Sequence, residues 1–476
     1  MDNLIDYVVV ILYFAVILGA GYLGLRRARS ADDYLVAGRR LGPAMYMGTL
    51  SAVVLGGAST IGGVSLGYQY GISGMWLVFM LGLGIIALGV LLSARLSRLG
   101  VYTVAEMLEV RYGSSSRLIS AIIVAAYDLM VAVTATIAIG AVFNVILGLP
   151  PSLAIILAGG IVVLYSVVGG MWSITLTDIL QFVIMTIGIF FILLPLAISQ
   201  AGGFSGMREE LPASYFDLTA IGWQTIFTYF LLFFFGIMIG QDIWQRVFTA
   251  RDDGVARWGS LAAGVYCLLY GIAGALIGTA AKAILPNLQV ADNAFAEVAK
   301  ATLPVGLVGL VLAAALAAVM STASATLLAS STILANDVYA RFIARGDHDR
   351  VGVNRLFTLV VGVIVLVVSL LVKDVVGALT VAYDLLVGAV CVPVIGALFW
   401  LRATAAGALA SIVVGSVVVV TLMFIQGLLA NGPIIWGLLA SLVAFVVVSL
   451  LTPRPSPERS RAWERRLSTP ASPRQT

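Results

Sequence analysis

The chain is short of histidine, cysteine and charge. Its single histidine, His348, falls in a loop between apolar stretches, which removes histidine-based metal centres and Ser/His/Asp chemistry. The two cysteines, Cys267 and Cys391, are more than a hundred residues apart and both fall inside apolar stretches. They are expected as buried thiols without a disulfide. Charged residues make up 11% of the 476 positions, against roughly 25% in soluble domains. No nucleophile–base pair, metal cluster or phosphate-binding loop emerges, so an enzyme with an organic cofactor is not expected.

What fills the chain instead is apolar. Hydrophobic residues account for 61% and the mean hydropathy is +1.08. Thirteen stretches of about 20 residues can each cross a hydrocarbon core as a helix. They lie near 7–25, 43–70, 73–94, 118–147, 152–170, 174–199, 222–240, 259–283, 305–335, 355–372, 376–400, 404–425 and 433–451. The first is too long, and too lacking in a cleavage site, for a removed signal peptide. The expected fold class is an all-α polytopic membrane protein.

Numbering the loops alternately, with the amino terminus outside, puts 23 of the 27 basic residues on the inner side. Only Arg208, Lys282, Lys300 and Lys373 fall outside. The positive-inside rule predicts this asymmetry for a plasma-membrane protein with a cytoplasmic carboxyl terminus. The net charge of +4 therefore reports topology rather than nucleic-acid binding. Residues 452–476 are rich in Pro, Ser and Arg and are expected as a disordered cytoplasmic tail that anionic headgroups attract.

Two spans carry chemistry. The ninth holds Ser321, Thr322, Ser324, Thr326, Ser330, Ser331 and Thr332. Positions 318, 321 and 322 stand at i, i+3 and i+4, so one face presents a carbonyl and two hydroxyls. Hard cations such as Na⁺ take oxygen ligands, although serine and threonine also join transmembrane helices to one another. The second span contains Gly56, Gly57, Gly62 and Gly63 within eight residues, a poor place for an unbroken helix. A break at Ala58–Ile61 frees carbonyls that an ion could share with Ser321 and Thr322. Ion binding would then alter how the two spans pack. The seventh span is interrupted at Gly236 and Gly240, and broken spans in corresponding places point to inverted repeats. Pro195 and Pro393 fall on equivalent members of spans 6 and 11.

Several strings resemble the sodium:solute symporter family. They are Asp32-Asp33-Tyr34 through Gly42, Tyr102-Thr103-Val104-Ala105-Glu106 on to Gly113, Gly169-Gly170-Met171-Trp172 leading to Thr177-Asp178-Ile179-Leu180-Gln181, and Gln241-Asp242-Ile243-Trp244-Gln245-Arg246. The resemblance implies a LeuT-type core of five plus five helices, with one extra helix before it and two after. The parts are then 1–42 (first helix and inner loop), 43–200 (first repeat), 201–221 (outer loop), 222–402 (second repeat), 403–451 (two further helices) and the tail at 452–476. It implies one Na⁺ as coupling ion, held by Ala58, Ile61, Ala318, Ser321 and Thr322. Asp178 and Ser324 match parts of a second sodium site found in some members.

Two acids lie inside spans, Asp128 and Asp384, and such residues are functional candidates by default. With Thr60, Tyr127 and Phe233 they are the expected solute contacts. No basic residue falls clearly inside a cavity-lining span, which argues against a clamped organic anion. The second span has no Glu or His, and its one Gln, Gln69, lies at its far end, which argues against a sugar. The expected function is Na⁺-coupled uptake of a small amino-acid-, amine- or urea-like solute. Its alternatives are proton coupling through Asp128 or Asp384, monocarboxylate uptake, and a membrane solute sensor. Oligomeric state is not legible.

Overall fold

The computed structural model describes residues 4–28, 30–343, 350–372 and 374–468. Arg29, Arg345, His348, Lys373 and residues 469–476 lie outside them. Among the described residues the regular structure is helical, apart from one isolated bridge between Leu41 and Ala250.

The helices sort by how much neighbours cover them. Leu307–Ile333 is buried along nearly its whole length, whereas Leu4–Leu25, Ala405–Gln426 and Gly432–Leu451 expose Leu, Ile, Val and Phe outward. Alanine, serine and threonine let other backbones come close to the 307–333 helix, the usual condition for packing in lipid, where apolar burial adds little. It is packed by Ser114–Leu147, Pro151–Met185 and the first helix. Asp6 pins the first helix to it: its carboxylate accepts from Gly306 N at 2.8 Å and Gly309 N at 2.6 Å. A negative charge there also meets the positive end of the helix dipole.

Among the described residues, ten helices can cross a bilayer by length and composition, or eleven when the bent pair Trp223–Ile239 and Gln241–Val247 counts as one. The sequence led to thirteen. The difference arises because Ala58–Leu91 and Pro151–Gln200 run on through Gly71 and Gly170, both at positive φ, and because Pro43–Val54 is short. At about 1.5 Å per residue, the 50 residues of Pro151–Gln200 are far too long for one crossing.

Both expected interruptions are present. Pro43–Val54 stops at Leu55, where ψ is 48°, and the chain re-forms as a wide π turn over Ala58–Gly62. The second break falls at Gly240, where ψ is 135° and the axis bends by 45°. Gly236 lies within the helix; a Cβ there would strike the Tyr383 ring, so its role is close approach. Pro195 and Pro393 each follow a π turn, Thr186–Leu193 and Val387–Cys391. A proline cannot close the preceding turn with its own N–H, and the widened turn accommodates it. Cys267 and Cys391 are both buried and free.

Arg117 ion-pairs with Glu109 and with Asp337, while Arg341 reaches Glu109 at 3.0 Å. Burial alone would raise the Glu109 carboxyl, but the two guanidiniums outweigh it and hold it below the usual range.

The tail corrects an expectation. Pro457–Ser468 is a helix, not a disordered segment. Its composition is polar, but Trp463 is 3% exposed and donates from Nε1 to Ala397 O at 2.8 Å. Arg98 donates to the Ser468 carbonyl at 3.2 Å and pairs with Asp253. One buried indole and one capping arginine thus order a segment that composition assigns to solvent. Trp463→Ala is expected to undock this helix, read as faster proteolytic cleavage within 452–468 with the remaining chain still protected; unchanged cleavage would remove Trp463 as the anchor.

Candidate functional site

The two chemistry-bearing spans meet at the first break. An α-helix carbonyl accepts from the amide four residues on, so turning the chain at Gly56 and Gly57 releases the carbonyls of Ala52 and Val53. Hydroxyls take them. Ser321 Oγ donates to Ala52 O at 2.8 Å and Thr322 Oγ1 to Val53 O at 2.7 Å. The next two carbonyls are met from within the second span: Ser59 Oγ lies 2.8 Å from Val54 O, and Thr60 Oγ1 lies 3.0 Å from Leu55 O. Ser321 Oγ also lies 2.8 Å from the Ala318 carbonyl.

Ala52 O, Val53 O, Ala318 O, Ser321 Oγ and Thr322 Oγ1 therefore converge. All five are neutral oxygens, and their residues are almost fully buried. They sit at the carboxyl end of a half-helix, where the dipole favours a cation. Both hydroxyls can turn their protons aside and offer lone pairs, so the donor set fits Na⁺. Ser321 and Thr322 bond to Ala52 and Val53, six and eight residues before Ala58 and Ile61. Ala58 lines the same small cavity as Thr322, and Ile61 does not. Glycines 56 and 57 mark where neighbours press in, whereas the freed carbonyls belong four residues earlier.

Asp178 accepts from the Thr49 hydroxyl and faces Arg246 at 3.5 Å, with both ion-pair side chains wholly buried. Ser324 turns its hydroxyl to Ser321 O at 3.1 Å. Among the described residues no hydrogen bond joins Asp178 to Ser324.

Of the expected solute contacts, Thr60 is spent on the break, bonding Tyr270 OH at 2.7 Å as well as Leu55 O. Tyr127 and Phe233 both pack edge-on against Tyr383, with centroids 5.1 and 5.2 Å away. Asp128 and Asp384 are completely buried, and no oxygen of either carboxyl has a hydrogen-bond partner. Buried carboxylates without partners are costly, so these groups are held for something other than packing.

Sequence reasoning overlooked Asp242 and Tyr383. Both line the cavity beside the break, with Val53, Thr134 and Thr322. Asp242 stands four residues before Arg246, the spacing of an ion pair within one helix, yet the arginine's salt bridge goes to Asp178 and Asp242 Oδ1 is left unpartnered. Its position directly after Gly240 was the available signal. The cavity holds about 20 Å³, room for roughly one water.

Broken membrane helices around a buried oxygen cradle define a secondary transporter of the inverted-repeat kind. Comparisons sharpen that class. Residues 34–415 match the family model described as the sodium:solute symporter family, and the chain belongs to that family. It is 26% identical to a sodium/glucose cotransporter of Vibrio parahaemolyticus, over 86% of this chain and 83% of the relative. It is 27% identical to the sodium/pantothenate symporter of Escherichia coli strain K12, over 91% and 94%. The sodium/proline symporter of the same organism is also 27% identical, over 92% and 91%. A solved Na⁺-coupled sialic acid symporter, substrate-bound and outward-open, superposes with a TM-score of 0.83 at 20% identity, covering 96% of this chain and all of that one. A nucleobase-cation-symport-1 transporter in a closed conformation gives 0.60 at 16% identity, over 90% and 98%. The fold is thus that of LeuT-like symporters.

Proposed function

We propose that this protein carries Na⁺ together with a small amine-bearing or neutral organic solute into the cell by alternating access. The observation that supports it most is the oxygen cradle of Ala52, Val53, Ala318, Ser321 and Thr322. An ion there bridges the broken span and the 307–333 helix, so its arrival and departure change how the two halves pack. The inward gradient and membrane potential drive the cycle, one charge across 100 mV being worth about 2.3 kcal/mol. The topology that goes with this reading has thirteen crossings, the amino terminus outside, and repeats at 43–200 and 222–402. The π turns before Pro195 and Pro393 support that pairing of repeats.

The solute is left open by the relatives, whose names include glucose, pantothenate, proline and, at 24% identity, choline. A second reading, favoured by the unpartnered oxygens of Asp128 and Asp384, is proton coupling in the same fold. One experiment separates them. The purified protein is expected to melt at higher temperature in NaCl than in KCl, and Ser321→Ala and Thr322→Ala are each expected to lose that difference. An equal melting point in both salts at saturating concentration would reject sodium coupling.

A further inference from the structure

Four aromatic rings form a continuous ladder. Tyr229 packs on Phe233 at 5.1 Å, Phe233 on Tyr383 at 5.2 Å, and Tyr383 on Tyr127 at 5.1 Å, all edge to face. The rings come from three different spans, each of which borders one of the two helix breaks or packs against it. Phe233 and Tyr127 are wholly buried, and Tyr229 and Tyr383 nearly so.

Carboxylates stand at both ends of the ladder. At the outer end Asp374, exposed at the start of Val375–Leu386, lies close to Tyr229. The half-buried Asp292 lies close to Asp374 in turn. At the inner end Asp128 and Asp242 lie close to both Tyr127 and Tyr383. Asp128 has two unpartnered oxygens and Asp242 has one. The charge count at this end is lopsided, with three buried carboxyls (Asp128, Asp178 and Asp242) set around the single guanidinium of Arg246. Asp178 already faces that guanidinium, which leaves the remaining acids short of positive charge.

Faces of aromatic rings attract cations, most strongly when both are removed from water. A buried carboxylate needs a positive partner. Carboxylic acids would find neither attraction here, since ring faces and carboxylates repel anions. We infer that the solute is a small organic cation, a primary or quaternary ammonium, passed along the Tyr229–Phe233–Tyr383–Tyr127 ladder to Asp242 and Asp128. This rests on the sodium-symport reading above and narrows its solute class.

The test uses the full-length protein in detergent, melted in NaCl and in KCl with choline, ethanolamine, L-proline, glucose or pantothenate added singly. Choline or ethanolamine is expected to raise the melting temperature by a few degrees in NaCl and much less in KCl. Asp242→Asn is expected to weaken that binding by about 100-fold. Tyr383→Leu should weaken it by about 10- to 30-fold and Tyr383→Phe by less, because phenylalanine keeps the ring face. The shift produced by sodium alone should survive in every variant, which shows that they fold. The inference is overturned if neither cation gives a shift, if proline, glucose or pantothenate does so in their place, or if the variants bind the cations as wild type does. Should sodium alone leave wild type unshifted, the symport reading itself fails; sodium stabilisation with inert cations removes only the solute class.

Discussion

Arg246→Ala is expected to be among the most destabilising single substitutions in this chain. Arg246 and Asp178 have no exposed side-chain surface and face each other at 3.5 Å, in a cluster that already holds Asp128 and Asp242. Removing one partner of a buried pair costs about 3–5 kcal/mol, chiefly because the other charge stays behind without compensation. Here three carboxyls would be left, so the upper part of that range is expected. Arg246→Lys keeps the charge but loses the planar fork and should recover only part of the stability. The informative comparison is with Asp178→Ala and the double variant. If the pair acts as a unit, the double variant should be less destabilised than the sum of the singles, and the difference measures their coupling. Thermal melting in detergent checks all four proteins. A melting temperature within a degree of wild type for Arg246→Ala would mean that the cluster is already neutralised without the guanidinium.

How much of this could be read from the sequence divides along physical lines. Features set by long averages were legible. Apolar stretches, arginine placement and four strings of family-like residues each sum over many positions, so one misjudged residue changes little. The membrane class, the helical fold and both helix interruptions follow from such sums. Features set by one contact were not. The tail reads as solvated because its sixteen polar residues outweigh one tryptophan in any average, yet Trp463 alone finds the Ala397 carbonyl. Asp242 looked like half of an ion pair because Arg246 is four residues away on the same helix, where such pairs commonly form. The arginine's salt bridge is instead with Asp178, from a distant part of the chain. Ser321 and Thr322 were found because their spacing on one helix declares a shared face. That these hydroxyls bond the carbonyls of Ala52 and Val53 was not legible, because a glycine-rich string advertises where the backbone turns and not which acceptors that turn releases.

Gly56→Ala tests that last distinction and is expected to abolish the sodium response. A Cβ at position 56 would land on the Oγ1 and Cβ of Thr322, too close for either side chain to stay. Thr322 must then leave its rotamer or the 307–333 helix must move back, and each breaks the bond from Thr322 to Val53 O. Overpacking of this kind costs about 1–3 kcal/mol, which a membrane protein of this size can survive folded. Sodium stabilisation should disappear, because two of the five oxygens have been pulled apart. Gly57→Ala is the matched comparison. Its Cβ would meet Ala138 at 2.7 Å and Ala135 at 3.1 Å, on a different helix and away from the cradle. It should destabilise to a similar degree while the difference between NaCl and KCl persists. The double variant Gly56→Ala with Thr322→Gly removes both the Oγ1 and the Cβ that the new methyl meets, so it should regain part of the stability lost in Gly56→Ala without regaining the response to sodium. Recovery of that response would show that the Thr322 hydroxyl is not a ligand. Equal loss in Gly57→Ala would show that the response depends on packing throughout the break and not on the oxygens gathered at Ala52 and Val53.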